Sequence, residues 1–182
     1  YESYPHHNAV FVGKDKDGQP RYACLRGIGT DFKGEATGSD KRFSFSIPAE
    51  EPSPVLYLFE SAIDLLSFAA MAQEDRLPWR SQHLLSLAGV YQPKKNLTER
   101  PLPLALSQYL RDHREIQTIY LCLDNDLAGR SAADAIRQQL AGRYVVLDGF
   151  PCQGKDYNDW LCLRKGLPIT RTVSKPERSM AR

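Results

Sequence analysis

From Val55 onward, short apolar runs alternate with segments of helical length and composition, and this alternation is what most narrows the folds open to the chain. VLYLF (55–59), HLLSLAG (83–89), TIYLCL (118–123) and YVVLDGF (144–150) have the length of strands buried on both faces. Between them, SAIDLLSFAAMAQEDR (61–76), LPLALSQYLRDH (102–113) and GRSAADAIRQQLAG (129–142) are rich in alanine and leucine, and the last ends at a glycine stop signal. Strands buried on both faces and separated by helices predict an α/β fold. Its core is a parallel four-stranded sheet flanked by helices, with right-handed crossovers.

The first fifty residues have a different texture. AVFVGKDKDGQPRYACLRGI (9–28) reads as a hairpin turning at Asp17-Gly18, RFSFSIP (42–48) alternates in period two as a strand, and FKGEATGSDK (32–41) reads as a loop. The prolines of AEEPSPV, Pro52 and Pro54, mark the boundary to the alternating region. The expected organisation is a small β-rich N-terminal subdomain over 1–52, an α/β domain over 53–166 and a basic C-terminal tail over 167–182.

At 182 residues, 42% hydrophobic and 25% charged, the chain can bury a core of its own, and a net charge of +2 permits a polyanionic partner without requiring one. No apolar run reaches the length of a membrane helix and no signal peptide opens the sequence, so no membrane partner is expected. The first residue is Tyr1 rather than Met, which reads as a piece of a longer protein whose other domains are partners. Cys24, Cys122, Cys152 and Cys162 show neither a C-x-x-C pair nor a histidine spacing that suggests zinc; free thiols and a cytoplasmic location are expected. His6 and His7 read as an exposed terminal pair.

In a parallel sheet, ligands bind beyond the carboxyl ends of the strands. There the first strand ends in Glu60, with Asp64 four residues on; the third ends in Asp124-Asn125-Asp126; and GKDYNDWL (154–161) after the fourth carries Lys155, Asp156, Asn158 and Asp159. Three segments thus deliver carboxylates to one sheet edge. Asp64, Asp126 and Asp156 are also where helix caps and turn formers belong, whereas Glu60 ends an apolar strand with no such role. Hard oxygen ligands without histidine or thiolate suit Mg²⁺ or Mn²⁺, and such ions serve phosphoryl transfer or phosphodiester cleavage.

In their order, Glu60 followed by Asp64, SLAG ending at Gly89, DNDLAG (124–129) and KDYND (155–159) resemble the motifs of the Toprim domain of bacterial primases, topoisomerases, overcoming-lysogenization-defect nucleases and RecR proteins. The resemblance spans about Val55 to Lys165 and is closest to the primase-like type. It implies a Toprim-type sheet in which Glu60 is the general acid or base, Asp124 and Asp126 with Glu60 hold Mg²⁺ or Mn²⁺, and Lys155 contacts phosphate. Asp64, Asp156 and Asp159 are supporting acids, and Lys94, Lys95 and Arg130 are nucleic-acid-binding candidates. Lys14, Lys16, Arg21, Arg26, Lys41 and Arg42 of the N-terminal region would track a strand collectively. The implied partners are DNA, an RNA primer and nucleoside triphosphates. Ser61 stands where the family commonly has glycine. The N-terminal region more loosely resembles the domain preceding Toprim in primase-like proteins of mobile elements, which implies a zinc-binding module further upstream. Three functions stay open: a DNA primase-like nucleotidyltransferase, a metal-dependent nuclease or nicking enzyme, and a non-catalytic nucleic-acid-binding module.

Overall fold

The computed structural model describes residues 2–3, 7–87 and 102–169. Strand β1 (Glu2–Ser3), β2 (Asn8–Lys14), β3 (Pro20–Gly27) and β4 (Lys33–Glu35) form an antiparallel four-stranded sheet in that order. The turn joining β2 and β3 is closed by Asp15, whose Oδ1 accepts the Asp17 and Gln19 amides, while Gly18 supplies a left-handed φ of 77°. Within the segment expected as a loop, Lys33–Glu35 pairs with β3 as an edge strand, too short and polar for its sequence to announce it.

The second sheet runs β5 (Ser46–Ile47), β7 (His83–Ser86), β6 (Val55–Phe59), β8 (Thr118–Cys122) and β9 (Val145–Asp148). The four expected strands are parallel, and β5 adds an antiparallel fifth at the edge, pairing Ser46 with Leu85 and Ile47 with Leu84. RFSFSIP therefore does not run as one strand. Asp40 caps a tight 3-10 turn at Lys41–Phe43 by accepting the Arg42 amide, and only the end of the segment reaches the sheet. The register places Glu60, Leu87 and Leu123 one step beyond β6, β7 and β8 at the same edge.

Alternation along β6 and β8 divides the core into two layers. Leu56 and Leu58 of β6 with Ile119 and Leu121 of β8 pack against Leu106 of α2 (Leu104–Asp112) and Ile136 of α3 (Leu127–Leu140). On the other face, Phe59 and Cys122 meet Leu65 of α1 (Ala62–Glu74) and Tyr157 of α4 (Tyr157–Arg164). Tyr57 stacks on Tyr120 at 4.8 Å between ring centroids on that face. Both faces are covered over the central strands, but β9 is a mostly exposed edge strand, with Val145 and Leu147 open to solvent, so the expectation of a fourth strand buried on both faces does not hold. Among the described residues, no helix is long and apolar enough to cross a membrane. The four cysteines are all free thiols. Residues 1, 4–6, 88–101 and 170–182, which include His6, Gly89, Lys94, Lys95 and most of the basic tail, lie outside the described residues.

Candidate active site

The site begins where β6 ends. Ser61 caps α1, its Oγ accepting the Asp64 amide at 3.2 Å while its hydroxyl donates to Asp64 Oδ2 at 2.6 Å. With φ at −132° the backbone there is extended, a conformation open to any residue, so serine in place of the family's glycine costs no strain. Asp64 is almost fully buried, and its Oδ1 accepts the Asn158 amide at 3.3 Å, tying α1 to the start of α4. Burial pushes its carboxyl up to about 6 against the opposing pull of the Ser61 hydroxyl.

Glu60 is 8% exposed, and its Oε1 accepts the Asp124 amide at 3.2 Å, joining the ends of β6 and β8. Burial first, and the negative charge of Asp124 second, raise its carboxyl to about 7. A carboxyl so raised favours the folded state while protonated, and that contribution is lost as pH rises from the unfolded value of 4.5 through about 7. We expect Glu60→Gln to abolish this loss. In urea unfolding with a chelator present, wild type should lose about 2 to 3 kcal/mol relative to the variant between pH 5 and pH 8. Parallel pH profiles for the two proteins would contradict the assignment.

Asp126 caps α3 by accepting the Gly129 amide on Oδ1 at 2.9 Å, a bond that lowers its carboxyl and leaves Oδ2 facing the site. This cap starts the helix at Leu127, two residues before the glycine that the sequence suggested as its opening. Burial raises the Asp124 carboxyl, and the Lys155 ammonium opposes that rise. The Lys155 ammonium bridges the pair, 2.7 Å from Asp124 Oδ2 and 3.2 Å from Asp126 Oδ2, and is raised in turn by Asp124. Two carboxylate oxygens aimed at one cation are the observation that fits a divalent ion here, because the lysine already occupies the position of the missing charge.

The loop carrying Lys155 is pinned twice: its amide donates to Asp159 Oδ2 at 3.0 Å and its carbonyl accepts the Asn125 amide at 2.7 Å. Asp156 caps α4 by accepting the Asp159 amide at 2.7 Å, so Asp156 and Asp159 act here by shaping the loop. Gly129 packs so closely that a Cβ there would lie 2.1 Å from the Asp124 carbonyl oxygen and 2.9 Å from Glu60 Oε1. Arg130 hydrogen-bonds the Asn125 side chain and lies over the Phe150 ring at 5.0 Å, beside the acids. Of the N-terminal cations, Arg21, Lys41 and Arg42 pair with Asp15, Glu35 and Asp40 of their own unit, so part of that charge is spent locally. The sequence did not reveal Ser61 as the anchor of Asp64 or the Asn158 amide as its second donor; S-x-x-D at a helix start was the signal for the first.

The Toprim-like family model matches residues 57–161, from β6 through most of α4. The chain belongs to the Toprim-like family. Ahead of the Toprim-like region, residues 1–51 match a family described as a protein of unknown function, DUF3991. A 65 kDa protein of Zymomonas mobilis is 27% identical over 174 residues; the match takes in 90% of this chain but 28% of that protein's length. The fold resembles the primase fragment of bacteriophage T7 primase-helicase protein, with a TM-score of 0.59 at 21% identity, covering 91% of this chain and 61% of that one. It also resembles the DnaG catalytic core, with a TM-score of 0.54 at 15% identity, covering 86% and 48% of the two chains. The Toprim-like chain thus shares its architecture with two primase structures while spanning only part of each relative's length.

Proposed function

We propose that this chain is the metal-dependent core of a DNA primase-like nucleotidyltransferase of a plasmid or other mobile element, working in the cytoplasm within a longer protein. One observation carries the reading: Asp124 and Asp126 converge on a single cation beside the buried carboxyl of Glu60. Membership in the Toprim-like family and the likeness to two primase structures support it. Asp124, Asp126 and Glu60 would hold Mg²⁺ or Mn²⁺, which when bound neutralises phosphate charge and favours attack by a hydroxyl in line with the leaving group.

The rest falls to the chain's own residues. Asp126 keeps one oxygen on the helix cap and offers the other to the site, so its position is fixed before anything binds. Glu60, raised to about 7, exchanges a proton readily near neutrality, as an acid or base for the attacking hydroxyl must. With an ion held by the carboxylates, Lys155 would be free to contact a phosphate oxygen. Asp64, held by Ser61 and Asn158, keeps α1 and α4 together behind these groups.

The test is template-directed primer synthesis by the full-length protein with nucleoside triphosphates and Mg²⁺. Short products that require both template and nucleotides are expected. Cleavage of plasmid DNA without nucleotides would replace the reading with a nuclease or nicking enzyme on the same acids. Nucleic-acid binding with neither reaction would leave a binding module.

A further inference from the structure

At the opposite edge of the second sheet, away from the acids, three side chains from separate elements meet. His83 opens β7, His113 caps the end of α2, and Glu115 lies in the loop before β8. Glu115 Oε1 is 3.4 Å from His83 Nε2 and 3.3 Å from His113 Nδ1, and all three ligand atoms lie within 4.8 Å of one another. Nitrogen and oxygen donors bound tetrahedrally at about 2.1 Å sit about 3.4 Å apart, so two of the three edges already have the length a metal would impose.

His83 is 2% exposed, yet its Nε2 makes no aligned hydrogen bond despite facing the carboxylate. A buried polar atom left that way calls for an occupant. Its other nitrogen is supported: Nδ1 lies 3.1 Å from the Tyr109 hydroxyl and accepts the Ala49 amide at 3.3 Å. A partner on the far nitrogen is the usual means of orienting a ligating histidine. With a metal on Nε2, the ring proton moves to Nδ1 and is donated to the Tyr109 oxygen, and the Ala49 amide gives up its longer bond. His113 and Tyr109 also line a cavity of about 870 Å³ between the two sheets, and Glu115 is more than a third exposed, so the cluster is not sealed from solvent.

We propose that His83, His113 and Glu115 form a zinc site with an open fourth position, tying the loop before β8 to β7 and distinct from the acids at the other edge. Two imidazoles and one carboxylate suit Zn²⁺ better than Mg²⁺, which prefers oxygen alone. His113 and Glu115 are close in sequence but His83 stands well before them on β7, and no histidine or cysteine spacing joins the three, which is why cysteine and histidine patterns pointed to no zinc.

The test is titration of the untagged chain with Co²⁺ as an optical probe for zinc. The Asp124→Asn, Asp126→Asn background keeps the acid site out of the reading. We expect one equivalent to give the intense visible bands of four-coordinate Co²⁺, bleached by added Zn²⁺. His113→Ala and Glu115→Gln, both at partly exposed positions and each checked for folding by circular dichroism, should weaken binding on the order of 100-fold. A weak six-coordinate spectrum in the starting protein would overturn the proposal. So would bands that persist undiminished in both variants. Failure here leaves the acid site untouched, because that site has been removed from the measurement.

Discussion

Asparagine in place of Asp124 should reduce primer synthesis by the full-length protein by about 10²- to 10³-fold, the scale on which losing one group that stabilises a transition-state charge is felt. The substitution preserves shape and removes a charge. Asp124 Oδ2 is the closer of the two oxygens on the Lys155 ammonium, and its backbone amide is what Glu60 accepts. The amide is untouched by the change, so the Glu60 contact and the register of β8 remain. Only the donor set for a cation is altered. Template binding, read by fluorescence anisotropy in a chelator, should change little, since phosphate contacts are made by cations that the substitution leaves in place. A variant that keeps full synthesis would remove Asp124 from the chemistry; one that loses template binding in proportion would make its role structural.

Gly129→Ala should destabilise the chain by about 3 kcal/mol or more and distort the acid site with it. The new methyl would lie 2.1 Å from the Asp124 carbonyl oxygen, which is backbone and cannot swing aside as a flexible side chain would. Either α3 retreats from β8, breaking the Asp126 cap, or the strand end moves and carries Asp124 with it. The Glu60 oxygen at 2.9 Å from the same point closes the remaining direction. Thermal unfolding should therefore fall together with metal affinity. Alanine normally stabilises a helix relative to glycine, so a variant as stable as wild type would mean that the helix start packs less tightly than the geometry here.

These two residues also show what a sequence can disclose. Asp124 and Asp126 were legible because charge at the end of an apolar strand is costly unless something answers it, and Glu60 for the same reason. The four parallel strands were legible from unbroken apolar runs. By contrast, β5 contributes two residues whose pairing with β7 depends on the capped turn before it. Local alternation could suggest a strand in RFSFSIP but not where it stops. The role of Gly129 depends on a distance across elements, and no residue pattern carries that. Lys155 could be placed near the acids from its motif, but its bridging of both carboxylates depends on the Asp159 and Asn125 bonds that fix the loop. The cluster of His83, His113 and Glu115 is the extreme case, since β7 must fold against the end of α2 and the loop after it before the three side chains meet.

The proposed site at the carboxyl edge of the second sheet would hold a divalent cation between Asp124, Asp126 and Glu60. The most direct measurement is a Mn²⁺ titration of this chain followed by electron paramagnetic resonance, with wild type, Asp124→Asn and Asp126→Asn compared at the same pH. Saturable binding in wild type that Mg²⁺ competes away, weakened at least about tenfold in each variant, is the predicted result. Equal binding in all three proteins would contradict it, because the ion would then sit somewhere other than between the acids that Lys155 now bridges.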